Sequence, residues 1–215
     1  MTDTASRTER DLVPDARRAR ARADRLTFAI MLASSLLSLL ASFVLSVDAV
    51  LLAADPDIKL TCDINAAISC GTVGQAWQAS LLGFPNAFLG LVTEPVVITI
   101  AAAALAGVRF PRWFMLTAQA VYLLGLVFAY WLFSQSFFVI GALCPWCLLV
   151  TASTTTVFTS LMRFNIRENN FGLRPRLHAR LTSWLRIGVD YAVVAVVFAV
   201  LAAAIVVKYQ HALFG

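Results

Sequence analysis

The sequence predicts an all-α integral membrane protein with five membrane-spanning helices and a short amphipathic helix in the first loop outside the cytoplasm. Hydrophobic residues make up 60% of the 215-residue chain and charged residues 13%, whereas a soluble domain is nearer half apolar and a quarter charged. Five apolar stretches reach the length of about 20 residues that a spanning helix needs. The basic residues fall between alternate stretches, which is the third observation.

The apolar stretches cover roughly residues 26–52, 86–108, 113–133, 143–162 and 187–207. The first is about twice as long as the apolar region of a signal peptide, and no small-residue cleavage site follows it, so it is predicted to remain as an anchor. Within it, serine recurs every fourth residue from Ser34 to Ser46. This pattern predicts a ridge of small side chains for close helix packing.

The basic residues predict the orientation. All but two of the 17 lie before the first stretch, between the second and third, or between the fourth and fifth; the two others are Lys59 and Lys208. Basic loops stay in the cytoplasm, so the N-terminus is predicted to be cytoplasmic and the C-terminus outside. Because the basic residues form no single patch, nucleic-acid binding is not predicted.

This orientation divides the chain into a basic cytoplasmic tail, an outer loop, a cytoplasmic loop and a fifth helix with a short outer tail. These segments are residues 1–25, 53–85, 163–186 and 187–215. The tail has no apolar period wide enough for a core, so we expect it to be disordered or loosely helical.

All four cysteines are predicted on the outer face, where disulfides form and persist. Cys62 and Cys70 lie in the first outer loop, and Cys144 and Cys147 open the fourth helix. A helix N-terminus favours thiolate over thiol, and proline at position 145 suits a first helical turn. The second pair is therefore predicted to exchange disulfides rather than to brace the fold.

Two alternatives remain for these cysteines. A Cys-x-x-Cys pair can be half of a zinc site, but His178 is predicted in the cytoplasm and His211 at the C-terminus, so no metal is predicted. The other alternative is a non-catalytic membrane scaffold or transporter subunit whose outer loops are held by structural disulfides.

The outer loop is too long for a plain connector, which favours a functional role. Residues 73–84 predict a short amphipathic helix with Trp77, Leu81 and Phe84 on its apolar face. Such a helix could lie over the bundle as a lid and shelter a hydrophobic substrate between the cysteine pairs.

Three segments together resemble the vitamin K epoxide reductase family, and its bacterial branch in particular. They are CDINAAISC at 62–70, GFPN at 83–86 and CPWC at 144–147, within a similarity covering about residues 27–162. The resemblance implies a four-helix bundle around a quinone, menaquinone or ubiquinone, with the fifth helix outside it. It implies a membrane thiol:quinone oxidoreductase that reoxidises a DsbA-like thioredoxin-fold protein and so supports disulfide formation in secreted proteins.

The resemblance also implies residue roles. Cys147 would face the quinone, Cys144 would be its exchange partner, Cys70 would attack Cys144, and Cys62 would receive electrons from the partner protein. Asn86 would donate a hydrogen bond to a quinone carbonyl; the alternative is a helix N-cap. Trp77 and Phe84 of the outer loop would be further quinone contacts.

Two intramembrane candidates remain open. Glu94 is predicted either to relay a proton to the quinone or to hydrogen-bond a neighbouring helix, for example through Gln119 or Thr117. Tyr130 is predicted to line the quinone ring site or to anchor the helix at the interface.

The chain departs from the family pattern at two positions. Many members have serine or threonine where Ala76 stands, and vertebrate members have a quinone-binding tyrosine where Thr151 stands. We therefore expect fewer polar contacts to the quinone. No thioredoxin-like domain follows the fifth helix, so we expect the electron donor to be a separate protein.

Overall fold

The structure, a computed structural model, describes residues 2–214, with side chains described at position 18 and from 20 to 210. Within this part of the chain the regular structure is helical, which confirms the predicted all-α class. The α-helices are α1 (Thr2–Ala54), α2 (Cys70–Gln75), α3 (Ala87–Leu105), α4 (Arg112–Ser134), α5 (Pro145–Arg167), α6 (Pro175–Ile187) and α7 (Val189–Phe214). A 3₁₀-helix covers Trp77–Ser80, and a π-helix extends α4 over Gln135–Ile140.

Five helical segments of the described chain are long and apolar enough to cross a membrane, as predicted. They are Arg20–Ala54, Ala87–Leu105, Arg112–Ile140, Pro145–Arg167 and Val189–Gln210. The protein is therefore a multi-pass membrane protein.

The predicted tail, residues 1–25, is helical from Thr2 and continuous with the first span. Alanine and arginine both favour helix, and two ion pairs hold the end of this segment against α5. Arg20 lies 2.6 Å from Glu168, and Asp24 lies 2.9 Å from Arg167. The tail side chains up to position 17 lie outside the described ones.

Helix α1 is the centre of the bundle, because it packs along both α3 and α5, while α4 packs on α5. The predicted serine ridge lies in these contacts, with Ser38, Ser42 and Ser46 buried. At Gly90 of α3 the two backbones come so close that an added Cβ would stand 2.0 Å from the Ser42 Oγ. The small residues therefore set the distance between α1 and α3.

The two ends of the bundle carry different chemistry. Arg163 of α5 pairs with Asp190 at the start of α7, close to the ion pairs of Arg20 and Arg167. At the opposite end, Lys208 of α7 donates a hydrogen bond to the carbonyl oxygen of Phe137. The cysteines lie at this lysine end, which agrees with the predicted separation of basic residues from cysteines.

Helix α6 was not predicted, since its sequence was assigned to the cytoplasmic loop 163–186. Pro175 occupies its first turn, and Gly188 ends it in the left-handed conformation with φ 84°. The arginines of this segment are typical of a polar loop, although in α6 they lie on one face of an amphipathic helix. Helix α7 packs on α5 and α6, but the rest of the described chain buries none of its most apolar stretch. It is therefore peripheral to the four-helix bundle.

The predicted amphipathic helix over 73–84 is present as two shorter helices, α2 and the 3₁₀-helix. Helix α2 begins earlier because the Ser69 hydroxyl accepts a hydrogen bond from the Thr72 amide, 3.0 Å away, and caps it. It ends at Ala76, which has extended backbone. This break turns Gln78 inward, where it is 3% exposed. Trp77 remains 63% exposed on the outer surface.

Candidate functional site

The outer loop is closed by a disulfide between Cys62 and Cys70. Asp63 braces the short ring, because its carboxylate accepts hydrogen bonds from the amides of Leu60 and Gly71 at 2.9 Å each and from the Ser69 hydroxyl at 2.8 Å. Burial raises the pKa of Asp63, but these donors outweigh burial, so the pKa lies below its ordinary value. The hydrogen bonds of the Asp63 carboxylate therefore stabilise the loop.

A backbone bridge attaches this loop to the start of α5. The Leu143 amide donates to the Ala67 carbonyl at 2.8 Å, and the Ser69 amide donates to the Leu143 carbonyl at 3.0 Å. The bridge pairs Ile68 with Leu143 in parallel orientation. Because Cys70 follows Ser69 and Cys144 follows Leu143 in the chain, the bridge brings the two cysteine pairs together.

The sulfur atoms of Cys70 and Cys144 lie 3.2 Å apart. Reacting atoms in a near-attack arrangement are about 3–3.5 Å apart, so the Cys144 sulfur is positioned against the loop disulfide. Cys144 is 1% exposed, so the contact is shielded from water. The chemistry that this arrangement permits is thiol–disulfide exchange through a Cys70–Cys144 mixed disulfide.

The Cys-x-x-Cys pair opens α5 as predicted, with Cys144 at the N-cap and Pro145 in the first turn. The Cys147 amide donates to the Cys144 sulfur at 3.3 Å. A hydrogen bond from the Cys147 thiol, with the amides of Cys147 and Trp146, lowers the pKa of the Cys144 thiol against the opposing effect of burial. The lowered pKa favours the thiolate form of Cys144, which is the form that reacts in exchange.

A cavity of about 560 Å³ lies between α1, α3, α4, α5 and the outer loop. Its wall is mostly apolar, and polar groups enter it at a few points. Of the sequence-predicted site residues, those lining it are Cys70, Asn86, Glu94, Cys144 and Cys147. A cavity of this size and character is typical of a site for a small hydrophobic molecule.

Asn86 lies at the N-cap position of α3, but its side chain makes no capping hydrogen bond. Instead its Nδ2 donates to the Gln78 carbonyl at 2.6 Å. Its Oδ1 is buried without a hydrogen-bond partner among the described residues. Asn86 therefore positions the loop and presents an unsatisfied amide oxygen in the cavity wall.

The other three predicted quinone contacts lie away from the cavity lining. Trp77 packs edge-to-face on Trp131 at a centroid distance of 6.2 Å, and Phe84 is 40% exposed. The Tyr130 hydroxyl lies 3.2 Å from the Thr155 hydroxyl. The structure does not bring these three residues together with Asn86 and Cys147, and their role as quinone contacts stays a prediction.

Glu94 is buried and both its carboxyl oxygens are bonded. Ser38 donates to Oε1 at 2.9 Å and Tyr122 to Oε2 at 3.1 Å. The predicted partners were wrong: Gln119 accepts a hydrogen bond from Asn165, and the Thr117 hydroxyl bonds within its own helix. The rotation of α1 and α4 about their axes decides which side chains face Glu94, and a single helix sequence does not fix that rotation.

The sequence analysis missed two residues of the site. Asp48 lies near the outer end of α1, lines the cavity and is 9% exposed. An ionisable residue inside an apolar stretch is itself a signal of function, and Asp48 carried that signal. Gln78, which lines the cavity and donates weakly to Gln135 at 3.4 Å, carried none.

The fold and the site together define a membrane-embedded thiol oxidoreductase, in which two cysteine pairs are in sulfur contact beside an apolar cavity. The chain matches the Vitamin K epoxide reductase family over residues 29–162, more than half of its length, and it belongs to that family. A search of curated proteins found no match. Members of this family share disulfide-generating oxidoreductase activity.

Proposed function

We propose that this protein reoxidises a separate, DsbA-like thioredoxin-fold protein outside the cytoplasm and passes the electrons to a quinone in the bilayer. The observation that supports the proposal best is the 3.2 Å contact between the Cys70 and Cys144 sulfurs. A structural disulfide gains nothing from a thiol at its side, whereas an exchange relay requires one.

The proposed electron route starts at the loop. A partner thiolate attacks Cys62, so that the Cys62–Cys70 bond breaks and Cys70 leaves as a thiolate; the partner's second thiol then resolves the mixed disulfide. Cys70 attacks Cys144, which expels Cys147 as a thiolate and forms the Cys70–Cys144 bond. Cys62 then attacks Cys70 and releases Cys144. The loop is oxidised again, and Cys144 and Cys147 hold the two electrons.

This route ends in the arrangement that the structure has, with a loop disulfide and with Cys144 and Cys147 as free cysteines. When bound, a quinone accepts two electrons and two protons. Cys147 lines the cavity and is the residue from which the electrons leave the protein, which restores the Cys144–Cys147 disulfide.

The cavity residues fit a quinone, menaquinone or ubiquinone. The apolar wall suits the ring and the adjoining prenyl chain, and Asn86 offers both an acceptor and a second amide hydrogen. Thr151 also lines the cavity, but its hydroxyl donates to the Cys147 carbonyl at 2.9 Å. It therefore replaces poorly the tyrosine of vertebrate relatives, in line with the expectation of few polar quinone contacts.

The proposed orientation places the N-terminus in the cytoplasm and the cysteine end outside. It is supported by the location of the arginine ion pairs and the cysteines at opposite ends of the spans. The positive-inside rule then assigns the arginine end to the cytoplasm. Cysteine-accessibility labelling of intact cells at single cysteines placed at positions 57 and 176 would test it.

The decisive experiment follows quinone reduction by purified protein in detergent, with either a reduced thioredoxin-fold protein or a small dithiol as donor. We expect Cys147→Ser to abolish quinone reduction with both donors. We expect Cys62→Ser to abolish it with the protein donor while the dithiol still reduces the Cys144–Cys147 pair directly.

The scaffold alternative makes the opposite forecast. If the cysteines only brace the outer loops, Cys147→Ser leaves quinone reduction at the wild-type background and alters only stability. Ser183→Ala, in α6 at the other end of the bundle, is the control for a substitution that removes one polar atom without approaching the cysteines. Equal activity of Cys147→Ser and Ser183→Ala would refute the proposal.

A further inference from the structure

Asp48 brings a carboxylate to the junction of the two cysteine pairs. Its Oδ2 lies 3.9 Å from the Cys62 sulfur. A carboxylate oxygen of Asp48 and the sulfurs of Cys62 and Cys70 all lie within 4.8 Å of one another. Asp48 also lines the cavity into which Cys144 and Cys147 open. No other acidic side chain among the described residues reaches both the loop disulfide and this cavity.

The surroundings of Asp48 differ from those of Asp63, the other acid near the disulfide. Asp63 accepts three hydrogen bonds from the loop, whereas no described N–H or O–H group donates to the Asp48 carboxylate. A carboxyl group in an apolar bundle is costly when it has no structural partner. The Asp48 oxygens are therefore free to accept a proton during the disulfide exchange.

We propose that Asp48 is the proton acceptor for Cys62 when Cys62 closes the loop disulfide. The assignment rests on the proposed function and adds to it a catalytic residue for the exchange step. A nearby carboxylate disfavours a second negative charge, so Cys62 waits as a thiol. It becomes a nucleophile only as its proton moves to Asp48, as in general base catalysis.

The Cys62 thiol gives its proton to Asp48 Oδ2, and its sulfur lone pair forms the bond to the Cys70 sulfur. The Cys70–Cys144 bond breaks, and its electron pair leaves with Cys144 as a thiolate. That thiolate is stabilised by the Cys147 amide at the start of α5. Asp48 then holds the proton at the wall of the cavity that it shares with Cys147.

The groups that titrate around Asp48 come from two other elements. Asp63 acts on it from the outer loop, and Cys144 and Cys147 interact with it from α5. The cysteines of the loop complete the set. A pH profile of the exchange must therefore be read in variants that change Asp48 alone.

The test isolates the exchange from any quinone. In Cys147→Ser the oxidised protein shares one disulfide among three cysteines, either as Cys62–Cys70 or as Cys70–Cys144. Conversion to the second form releases Cys62, which a maleimide reagent captures and mass spectrometry locates. With the reagent in excess, the initial rate of labelling at Cys62 gives the exchange rate, and mass spectrometry separates this label from direct labelling of the free Cys144 thiol. By microscopic reversibility, Asp48 then acts as the acid that protonates the leaving Cys62.

In the Cys147→Ser background, we expect Asp48→Asn to slow the disulfide exchange at least tenfold, and Asp48→Glu to retain the exchange rate of Cys147→Ser within about threefold. Asp57→Asn, an exposed acid of the same loop region, is the matched control and should not change it. The rate should follow a two-limbed pH profile, from which Asp48→Asn loses one limb.

Equal rates in Asp48→Asn and Asp57→Asn, or an unchanged pH profile, would overturn the assignment. Should Asp48→Asn fail to fold, the profile of Cys147→Ser alone decides, because a single limb excludes an acid–base partner. If the exchange depends on Asp48 but wild-type protein reduces no quinone, the proposed function fails while the role of Asp48 in exchange stands.

Discussion

The close contact between Gly90 of α3 and Ser42 of α1 predicts the effect of adding one methyl group to this helix interface. An alanine Cβ at Gly90 would stand 2.0 Å from the Ser42 Oγ and 2.7 Å from the Ser42 Cβ. A rotation of the Ser42 side chain can move its oxygen but not its Cβ. Since ordinary contact begins at 3.4 Å, α1 and α3 must move apart by several tenths of an ångström.

Overpacking of this kind costs typically about 1–3 kcal/mol, and the better helix propensity of alanine returns at most about 1 kcal/mol. We therefore expect Gly90→Ala to lower the free energy of unfolding by up to about 2 kcal/mol. The measurement is reversible denaturant unfolding of the purified protein in mixed micelles. Gly125→Ala in α4, where a Cβ meets nothing within 4 Å, should be neutral or slightly stabilising.

Second-site variants distinguish steric overlap from a general effect of losing this glycine. Ser42→Gly removes both clashing atoms and should restore the stability of Gly90→Ala. Ser42→Ala keeps the Cβ and should restore little. The reasoning is refuted if Gly90→Ala is as stable as Gly125→Ala, or if Ser42→Ala rescues as well as Ser42→Gly.

Three further predictions concern single polar side chains. Asp63→Ala should lower the free energy of local opening of the loop, measured by limited proteolysis, by about 1–3 kcal/mol. Because the pKa of Asp63 is lowered in the folded protein, its stabilising contribution is complete above the ordinary carboxyl pKa near 4 and declines as the pH falls through the lowered value. Asp63→Ala must lack this decline. Glu94→Gln, which can bond both Ser38 and Tyr122, should unfold at nearly the wild-type denaturant concentration, whereas Glu94→Leu should lose about 1–3 kcal/mol; equal losses would contradict the structural role. Asn86→Ala should reduce kcat/KM for quinone with a dithiol donor about tenfold, the equivalent of one hydrogen bond of about 1–1.5 kcal/mol, and an unchanged value would remove Asn86 from the quinone site.

Features that depend on a few neighbouring residues were predictable from the sequence. The five spans follow from local composition, and the start of α5 follows from a proline and a cysteine at its first positions. The four cysteines lie at one end of the bundle because an even number of spans separates the outer loop from the start of α5. Each of these inferences needs only helix length and chain direction, which the sequence contains.

Features that depend on packing between distant segments were not predictable. The bridge between Ile68 and Leu143 is made by backbone atoms, and no side chain signals it. The partners of Glu94 depend on how α1 and α4 are rotated. The break of the loop helix at Ala76 turns Gln78 inward, and the contacts that Gln78 gains there exist only in the folded bundle. Asp48 is different, since its acidic side chain in an apolar stretch was visible and was overlooked.

The burial of Cys62 has a consequence for the order of events. Cys62 is 8% exposed and packs with Leu52 and Leu60, so in the proposed cycle a donor protein reaches its sulfur only after a local opening of the loop. The handover from Cys70 to Cys144 needs no comparable rearrangement. In the proposed cycle, entry of electrons from a protein donor therefore requires a local opening, whereas onward transfer joins two sulfurs that are already 3.2 Å apart.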